Sequence, residues 1–269
     1  MTDHVERMSR VYSPVTWDVY ERLDRGLDPA GPDSLHELAA GYLSPGARIL
    51  DAGCRDAYHL IRLLEAHDAT GVAADPVARH VAMAREAVAG SGLGERIEVF
   101  AGVAEELPHP DGHFDLIWAR DVLEQVADLP GFTRALARLL RPGGCVIAYT
   151  NVVTGLLEAG EDAMLRRHLG NVRANLDERD LLAAYASAGL TVDRRISIGT
   201  EWREWAEERT RPASESLLRL ARLRRQRESV VAEHGLDVYE HVEANLHWLL
   251  YQFMGKLEPV VHVLRHVSA

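Results

Sequence analysis

The chain has 269 residues, of which 47% are hydrophobic and 26% are charged, and its formal net charge at pH 7 is −11. Such a composition is typical of a globular protein that buries a sizeable core, either as one large domain or as one domain with an insertion. The negative charge argues against general nucleic-acid binding, which requires a basic surface.

Local sequence patterns argue against secreted, membrane-spanning and metal-binding proteins. The N-terminus, Met1 to Arg10, is polar and charged, unlike a signal peptide, and no apolar run approaches the roughly 20 residues of a membrane span. Cys54 and Cys145 lie in or beside predicted strands, so we expect free thiols in a reducing compartment. The 13 histidines form no convincing ligand set for a metal. The default prediction is a cytoplasmic protein that binds no metal.

The first 45 residues are predicted to be helical. Two apolar stripes recur there at helical spacing: Val15, Val19, Leu23 and Leu27, followed by Leu35, Leu38, Ala39 and Tyr42. Residues 28–32 contain two prolines and a glycine, which predicts a break between the helices.

From residue 46 to residue 198, short apolar runs alternate with helical patterns, which predicts a parallel sheet covered by helices on both faces. Strands are predicted around residues 49–50 and at 69–75, 96–100, 114–119, 145–149 and 190–198, with helices from about residue 60 and at 77–89, 132–140 and 177–188. Residues 201 to about 255 are predicted to be helical only, and residues 259–264 are predicted to form a final strand. The helical stretch is therefore an insertion before the last strand.

A turn of small residues joins the first strand to the first helix of this region. It begins at Asp51 and contains Gly53 and Ala57, and a second acid, Asp75, follows one βαβ unit later. Such a strand, turn and helix hold nucleotide-like ligands in α/β folds, and the second acid stands where a ribose-binding carboxylate belongs. Asp75 as an ordinary helix N-cap is the alternative interpretation.

Six motifs in fixed order resemble the class I S-adenosylmethionine-dependent methyltransferases, of the small-molecule type that includes ubiquinone-pathway enzymes. The motifs are Ile49-Leu-Asp-Ala-Gly-Cys54, Gly71 to Pro76, Ala104-Glu-Glu-Leu-Pro108, Phe114-Asp-Leu-Ile117, Asp121-Val-Leu-Glu-Gln-Val126 and Leu140-Arg-Pro-Gly-Gly144. The resemblance covers roughly residues 46 to 198 and the last strand. It implies a Rossmann-like α/β fold whose seventh strand is antiparallel and lies between strands five and six.

The resemblance also implies roles toward S-adenosylmethionine. Backbone N–H groups from Gly53 to Ala57 face the amino-acid moiety, Asp51 orders its amino group or a bridging water, and Asp75 accepts hydrogen bonds from the ribose hydroxyls. The residues implied to bind the cofactor are Asp51, Gly53, Cys54, Arg55, Ala57, Asp75, Pro76, Val103, Ala104, Glu105, Ala119 and Arg120.

The chain departs from the family pattern at several positions. Arg55 and Ala57 replace glycines of the turn, and Val103 replaces an aspartate that bonds the adenine amino group in many members. Arg55 requires either a negative φ or acceptance of backbone strain, and its side chain either clamps the cofactor carboxylate or is solvated. Gln125 stands where a histidine is common, which weakens the idea of that histidine as a base.

The predicted organisation is an N-terminal helical lid (1–45), a cofactor-binding core (46–199), a helical cap (200–256) and the last strand (257–269). The cap and lid are expected to roof a pocket at the carboxyl ends of the strands, because open α/β sheets bind ligands there. The predicted pocket residues are Tyr12, Trp17, Trp202, Trp205, Tyr239, His241, Trp248 and Tyr251.

An arginine-rich stretch (Arg219, Arg222, Arg224, Arg225, Arg227) is expected to be a solvated face, with a phosphate or carboxylate site as the alternative.

These patterns predict a methyltransferase that modifies oxygen, nitrogen or carbon of a small molecule, aromatic or polycyclic in view of the tryptophans, without nucleic-acid or membrane partners. His241, His247 and Glu124 are weak candidates for a base. A methyltransferase-fold protein with another reaction, or a binding protein with a degraded cofactor site, remains the alternative. A homodimer is left open, since aromatic-rich caps often form dimer contacts.

Overall fold

The structure, a computed structural model, describes residues 2–267; Met1 and residues 268–269, the ends of the predicted lid and last-strand segments, lie outside it. Seven strands form one sheet: β1 (Ala47–Ala52), β2 (Ala69–Asp75), β3 (Ile97–Ala101), β4 (Phe114–Arg120), β5 (Leu140–Val153), β6 (Leu190–Ser197) and β7 (Leu257–His266). Their order is β3-β2-β1-β4-β5-β7-β6. β7 is antiparallel to both of its neighbours, and the other pairs are parallel. The predicted fold class is confirmed.

Helices connect and cover the strands. They are α1 (Thr2–Val11), α2 (Pro14–Leu23), α3 (Ser34–Ala40), α4 (Tyr58–Ala66), α5 (Ala78–Ser91), α6 (Leu129–Leu139), α7 (Ala159–Leu169), α8 (Glu178–Ser187), α9 (Glu201–Thr210), α10 (Pro212–Arg225), α11 (Arg227–His234) and α12 (Leu236–Phe253). Side chains of α3, α4 and α5 pack on one face of the sheet, and those of α6 and α8 pack on the other.

The strands between the two edges of the sheet are buried on both faces, which explains their continuous apolar runs, whereas the edge strands β3 and β6 are partly exposed. Successive side chains of a strand point to opposite faces, so Ile49 joins the core under α4 and Leu50 joins the core under α6. Both side chains are 0% exposed. The central strands β1 and β4 therefore fix the two layers of helices.

The observed strand β5 is longer than the predicted 145–149. Leu140 already pairs with Phe114, and the ladder to β7 continues to the pair Val153 and Leu257. A register shift between Phe114 and Leu116 absorbs the Pro-Gly-Gly sequence that suggested a turn. Helix α7 was not predicted, and its one fully buried residue is Leu165.

The first predicted helical stripe is exposed. Val15, Val19, Leu23 and Leu27 are 67%, 50%, 67% and 76% exposed. Between residues 3 and 28, only Ser13 and Thr16 are even half-buried. The periodicity predicted helix correctly at Val15, Val19 and Leu23, which lie in α2, but Leu27 follows that helix in irregular backbone. Nothing in the described part of the chain covers the apolar side of α2.

The helices between β6 and β7 pack around α12. One face of α12 contacts α10 through Leu250 and Leu220, and another contacts α7 through Tyr251 and Leu165. The division of the chain into lid, core, cap and last strand stays a prediction. None of the helices within residues 2–267 has the length and apolar character needed to cross a membrane.

We expect Leu50→Ala to lower the free energy of unfolding by about 2–5 kcal/mol, because it leaves a cavity in a close-packed core. The matched variant Leu23→Ala should change it by less than about 0.5 kcal/mol, because that side chain is already in water. Urea unfolding followed by circular dichroism measures both. A loss above about 1 kcal/mol in Leu23→Ala would show that α2 packs against the rest of the protein in solution.

Candidate active site

The candidate site lies at the carboxyl ends of β1, β2 and β4. β1 lies between β2 and β4, and Asp51 is in register with Ala73 on one side and Trp118 on the other. The chain order of the strands reverses on either side of β1, and in open α/β sheets such a switch point forms the ligand crevice. The acids at the ends of β1 and β2 are therefore neighbours, as the sequence predicted.

The turn after β1 holds its backbone in the left-handed region at three positions. The φ values are +81° at Gly53, +52° at Arg55 and +58° at Ala57. A Cβ at residue 53 would lie 2.6 Å from a methyl carbon of Val122, so only glycine fits there. Of the two options predicted for Arg55, the structure takes the strained one.

The same turn is tied to β2 by its backbone. The N–H groups of Gly53 and Cys54 both donate to the carbonyl of Ala74, at 2.9 and 3.0 Å. Burial raises the pKa of the Cys54 thiol far above its ordinary value, and this agrees with a packing role for that side chain. The N–H groups of Arg55 and Ala57 also donate within the protein, so the turn is a rigid platform that leads into α4.

Asp75 is buried and its carboxylate orders the surrounding backbone. Oδ2 accepts from the N–H of Arg55 at 3.0 Å, and Oδ1 accepts from the N–H of Val77 at 2.9 Å. His80, which the sequence analysis missed, places Nδ1 3.2 Å from Oδ1. A carboxylate oxygen can accept two hydrogen bonds, so Oδ2 keeps capacity for a ligand hydroxyl. The alternative interpretation of Asp75 as the N-cap is wrong, because Val77 is the N-cap of α5 and Asp75 is the last residue of β2.

Asp51 carries a buried acceptor atom without a partner. The residue is 3% exposed, and its Oδ2 forms no hydrogen bond. Burial raises the pKa of Asp51 to about 7, and the charges of Asp56 and Asp75 add to this effect. A positively charged group beside Asp51 would relieve both the missing hydrogen bond and the repulsion.

Three further predicted cofactor residues lie beside Asp75. The N–H of Gly102 donates to the carbonyl of Asp75 at 3.1 Å, which brings the segment Val103–Glu105 next to the end of β2. Ala104 is buried, whereas Glu105 and Pro76 are exposed. The Ala119 side chain is fully buried at the end of β4, so only its backbone can face a ligand.

A chain of polar side chains, which we call the polar column, joins the end of β4 to the helices before β7. Glu124 is 3% exposed, and its Oε1 accepts from the N–H and from Nδ2 of Asn151 at 2.8 and 2.9 Å. Asn151 Oδ1 accepts from Gln252 Nε2 at 2.7 Å, and Gln252 Oε1 accepts from Nε of Arg203. Burial raises the pKa of Glu124 to about 7, with a further contribution from the charge of Asp121, and Oε2 has no partner.

Arg120 lies over a pair of stacked aromatic rings. The rings of Tyr149 and Trp202 are 4.8 Å apart at 7°, and the Arg120 guanidinium lies 5.3 and 5.4 Å from their centres. Such cation–π contacts stabilise a guanidinium without neutralising its charge. Trp202 is therefore a buried part of the site, and Nε1 also donates to Ser34 Oγ at 3.3 Å.

The other predicted pocket aromatics lie elsewhere. Tyr12 and Trp17 are 63% and 58% exposed on the N-terminal segment, so neither lid closure nor packing is observed for them. Trp205 contacts Gly31, where a Cβ would lie 2.7 Å from its ring. Trp248 and Tyr251 pack against α7, and the buried Tyr239 has the guanidinium of Arg227 over its ring. Of the predicted set, Trp202 is the side chain for which contacts with the ends of β4 and β5 are observed.

The three predicted candidates for a base lie in different parts of the structure. Glu124 belongs to the polar column, whereas His241 is exposed and its Nδ1 donates to the carbonyl of His168 in α7 at 2.7 Å. His247 donates from Nδ1 to the carbonyl of Glu243 in its own helix at 2.7 Å. His247 Nε2 also accepts from a guanidinium nitrogen of Arg224 in α10 at 3.4 Å, so both histidines make their contacts with α7, α10 and α12.

Part of the chain is similar to known methyltransferases. Residues 50–148 match the family described as "Methyltransferase domain". Methyltransferase GfsG of Streptomyces halstedii is 29% identical over 154 residues, 57% of this chain and 49% of that protein. Ubiquinone biosynthesis O-methyltransferase of Methylocella silvestris is 40% identical over 105 residues, 39% of this chain and 40% of that protein. Both matches span less than half of the relative. The resemblance predicted from the ordered motifs is confirmed.

The fold also matches solved structures. The (4+2)-cyclase SpnF superposes with a TM-score of 0.69 at 20% identity, over 91% of this chain and 86% of that one. A likeness at this identity concerns the fold only. The name of that protein also shows that the fold alone does not determine the reaction.

We expect Arg55→Gly to raise the free energy of unfolding by about 1 kcal/mol, because glycine adopts a φ of +52° without the strain that a side chain causes. The matched variant Arg62→Gly, in the interior of α4, should lower it by about 1 kcal/mol, because glycine is a poor helix former. Urea unfolding without added ligand measures both. Equal destabilisation by the two variants would contradict the strain at Arg55.

Proposed function

We propose that this chain, which contains a class I methyltransferase domain, transfers the methyl group of S-adenosylmethionine to a small organic molecule. The observation that best supports the proposal is the unpaired, buried Oδ2 of Asp51 beneath the turn that leads into α4. In this family the equivalent acid serves the amino group of S-adenosylmethionine. A structural acid would have no physical need for an empty acceptor position.

The residues at the strand ends fit this cofactor. Asp51 would meet the ammonium group. Within the turn from Gly53 to Ala57, the N–H of Asp56 is the one that donates to no other group of the described chain, and it would meet the carboxylate beside the start of α4. Oδ2 of Asp75 would accept a ribose hydroxyl, and Pro76 with the segment Val103–Glu105 would flank the adenine. Ala119 and Arg120 would follow the methionine portion toward the acceptor.

The cofactor supplies an electrophilic methyl group on a sulfonium, and transfer to oxygen, nitrogen or carbon is an in-line displacement. The protein contributes alignment of the nucleophile and exclusion of water. Trp202, stacked on Tyr149, covers the ends of β4 and β5 and would help to exclude water there. An aromatic acceptor remains the proposal that this lining favours.

A hydroxyl acceptor would need a base within hydrogen-bond reach. Glu124 is better suited than His241 or His247, because its Oε2 is unpaired and its pKa is raised to about 7. A carboxylate with that pKa accepts a proton near neutral pH and still releases it. An amine or an electron-rich carbon would react with less assistance. The cytoplasmic location and the homodimer stay predictions from the sequence.

We expect the purified protein to bind S-adenosylmethionine and S-adenosylhomocysteine with a Kd in the micromolar range, measured by calorimetric titration of cofactor-stripped protein. Asp75→Ala should weaken binding about tenfold or more, equivalent to about 1.4 kcal/mol, because the ribose hydroxyls lose their acceptor. The matched variant Asp68→Ala, before the opposite end of β2, should leave the Kd unchanged.

Absence of binding by the native protein would refute the proposed function. Binding without methyl transfer, in a screen of small-molecule acceptors, would instead favour another reaction or a binding role on the same fold.

We also expect cofactor binding to release protons. In the free protein Asp51, with its pKa raised to about 7, is mostly protonated at pH 6. A bound ammonium group favours the carboxylate and lowers that pKa, so binding at pH 6 should release close to one proton, and release should fade as the pH rises above 7. Calorimetry in buffers of different ionisation enthalpy measures the number released.

Asp51→Asn should abolish this release while retaining some affinity. Unchanged release in Asp51→Asn would assign the proton to another group, of which Glu124 is the other acid with a pKa raised to about 7.

A further inference from the structure

Two histidines outside the predicted site lie between Trp118 and Arg120. His36 of α3 stacks on the ring of Trp118 at 5.3 Å, and His59 in the first turn of α4 lies 5.5 Å from the same ring. Nε2 of His36 is 3.2 Å from Nδ1 of His59. Nε2 of His59 is 3.0 Å from a terminal guanidinium nitrogen of Arg120. We call His36 and His59 the histidine pair.

The arginine determines the protonation of the histidine pair. A guanidinium only donates, so Nε2 of His59 must accept and its Nδ1 must carry the proton. That proton is donated to Nε2 of His36, which leaves the second proton of the chain on Nδ1 of His36. Burial lowers the pKa of His59 to about 3 and that of His36 to about 4, with nearby arginines adding to the effect. Both rings are therefore neutral, and they orient Arg120 without balancing its charge.

The second polar contact of Arg120 is a solvent-screened ion pair. Its Nε lies 3.4 Å from Asp121 Oδ2, and the Asp121 side chain is 53% exposed, so solvent screens that pair. Arg203, whose charge also acts on Asp121 and on Tyr149, is bound by the neutral amide of Gln252. The carboxyl edge thus holds two guanidinium groups, Arg120 and Arg203, that make hydrogen bonds to the neutral side chains of His59 and Gln252.

We propose that the acceptor molecule is an anion whose carboxylate or phosphate is bound by Arg120, with His59 and His36 as positioning residues. The proposal rests on the proposed function, because an anionic acceptor bound by Arg120 would also balance positive charge that the sulfonium of the cofactor adds at this edge. Arg120 has five N–H groups, of which one bonds His59 and one faces Asp121. Its side chain is 19% exposed, so solvent reaches part of it.

The arginines of α10 and α11 are a poorer candidate for this anion. Arg219 forms an ion pair with Glu215, and Arg224 forms one with Glu243 at 3.0 Å. The Arg219 and Arg224 side chains are 60% and 57% exposed, as expected for a solvated face. Arg224 therefore supplies a matched control for Arg120.

The experiment measures binding of benzoate and phenyl phosphate to the protein saturated with S-adenosylhomocysteine, with benzyl alcohol as the uncharged counterpart. We expect at least one of the two anions to bind about tenfold or more tightly than benzyl alcohol. The better anion distinguishes a carboxylate site from a phosphate site. Arg120→Gln should abolish the preference for the anion over benzyl alcohol, both measured at saturating S-adenosylhomocysteine. Arg120→Lys should retain part of that preference, and Arg224→Gln should retain all of it.

The role of the histidine pair is tested by the same charge preference, which a general loss of packing would not change selectively. His59→Leu should reduce the preference about three- to tenfold, because Arg120 loses the acceptor that orients it. His59→Gln should retain it, since an amide both accepts from Arg120 and donates to His36.

Several outcomes would overturn the inference. They are equal affinity of the native protein for the anions and benzyl alcohol, loss of the preference in Arg224→Gln, and full retention of the preference in Arg120→Gln. Failure of the native protein to bind S-adenosylhomocysteine would instead refute the proposed function, so the two failures are distinguishable.

Discussion

The left-handed backbone of the turn after β1 is the constraint on which the site depends. It reverses the chain at Gly53 and aligns the first N–H groups of α4 with the crevice. Val122, just after β4, fills the space that a side chain at residue 53 would need. The two central strands must therefore be in place together before the turn can close. Side chains at Arg55 and Ala57 show that the surrounding contacts outweigh the strain of two non-glycine residues in this region.

A shared loss of hydration determines which groups at the carboxyl edge stay charged. Burial raises the pKa of Asp51 and Glu124 and lowers that of His36 and His59, so all four are driven toward their neutral forms. Burial does not make arginine neutral in the same way, because its guanidinium keeps its proton at any ordinary pH. Guanidinium groups therefore keep a positive charge at this edge, even though acids outnumber bases in the chain as a whole.

Much of the fold follows from the sequence because sheet strands and amphipathic helices have distinct periods. The seven-strand order came from the resemblance, and the neighbouring positions of Asp51 and Asp75 follow from one βαβ unit. The histidine pair was not predicted, because the contact joins α3 to α4 across 23 positions and neither helix shows a motif. Helix α7 was not predicted, because it has a single buried residue, Leu165, and so its sequence shows no apolar stripe. For α2 the spacing of apolar residues indicated a helix, but such spacing does not reveal whether another part of the protein packs against the apolar side of that helix.

The position of β7 between β5 and β6 has a consequence for how the chain folds during synthesis. β6 pairs only with β7 among the described strands, and β7 follows four helices that come between them in sequence. During synthesis β6 therefore emerges from the ribosome before its partner β7, which follows about 60 residues later. A non-local pairing of this kind slows folding. Until then one edge of β5 is open to other chains, and this half of the sheet is where aggregation during synthesis would begin.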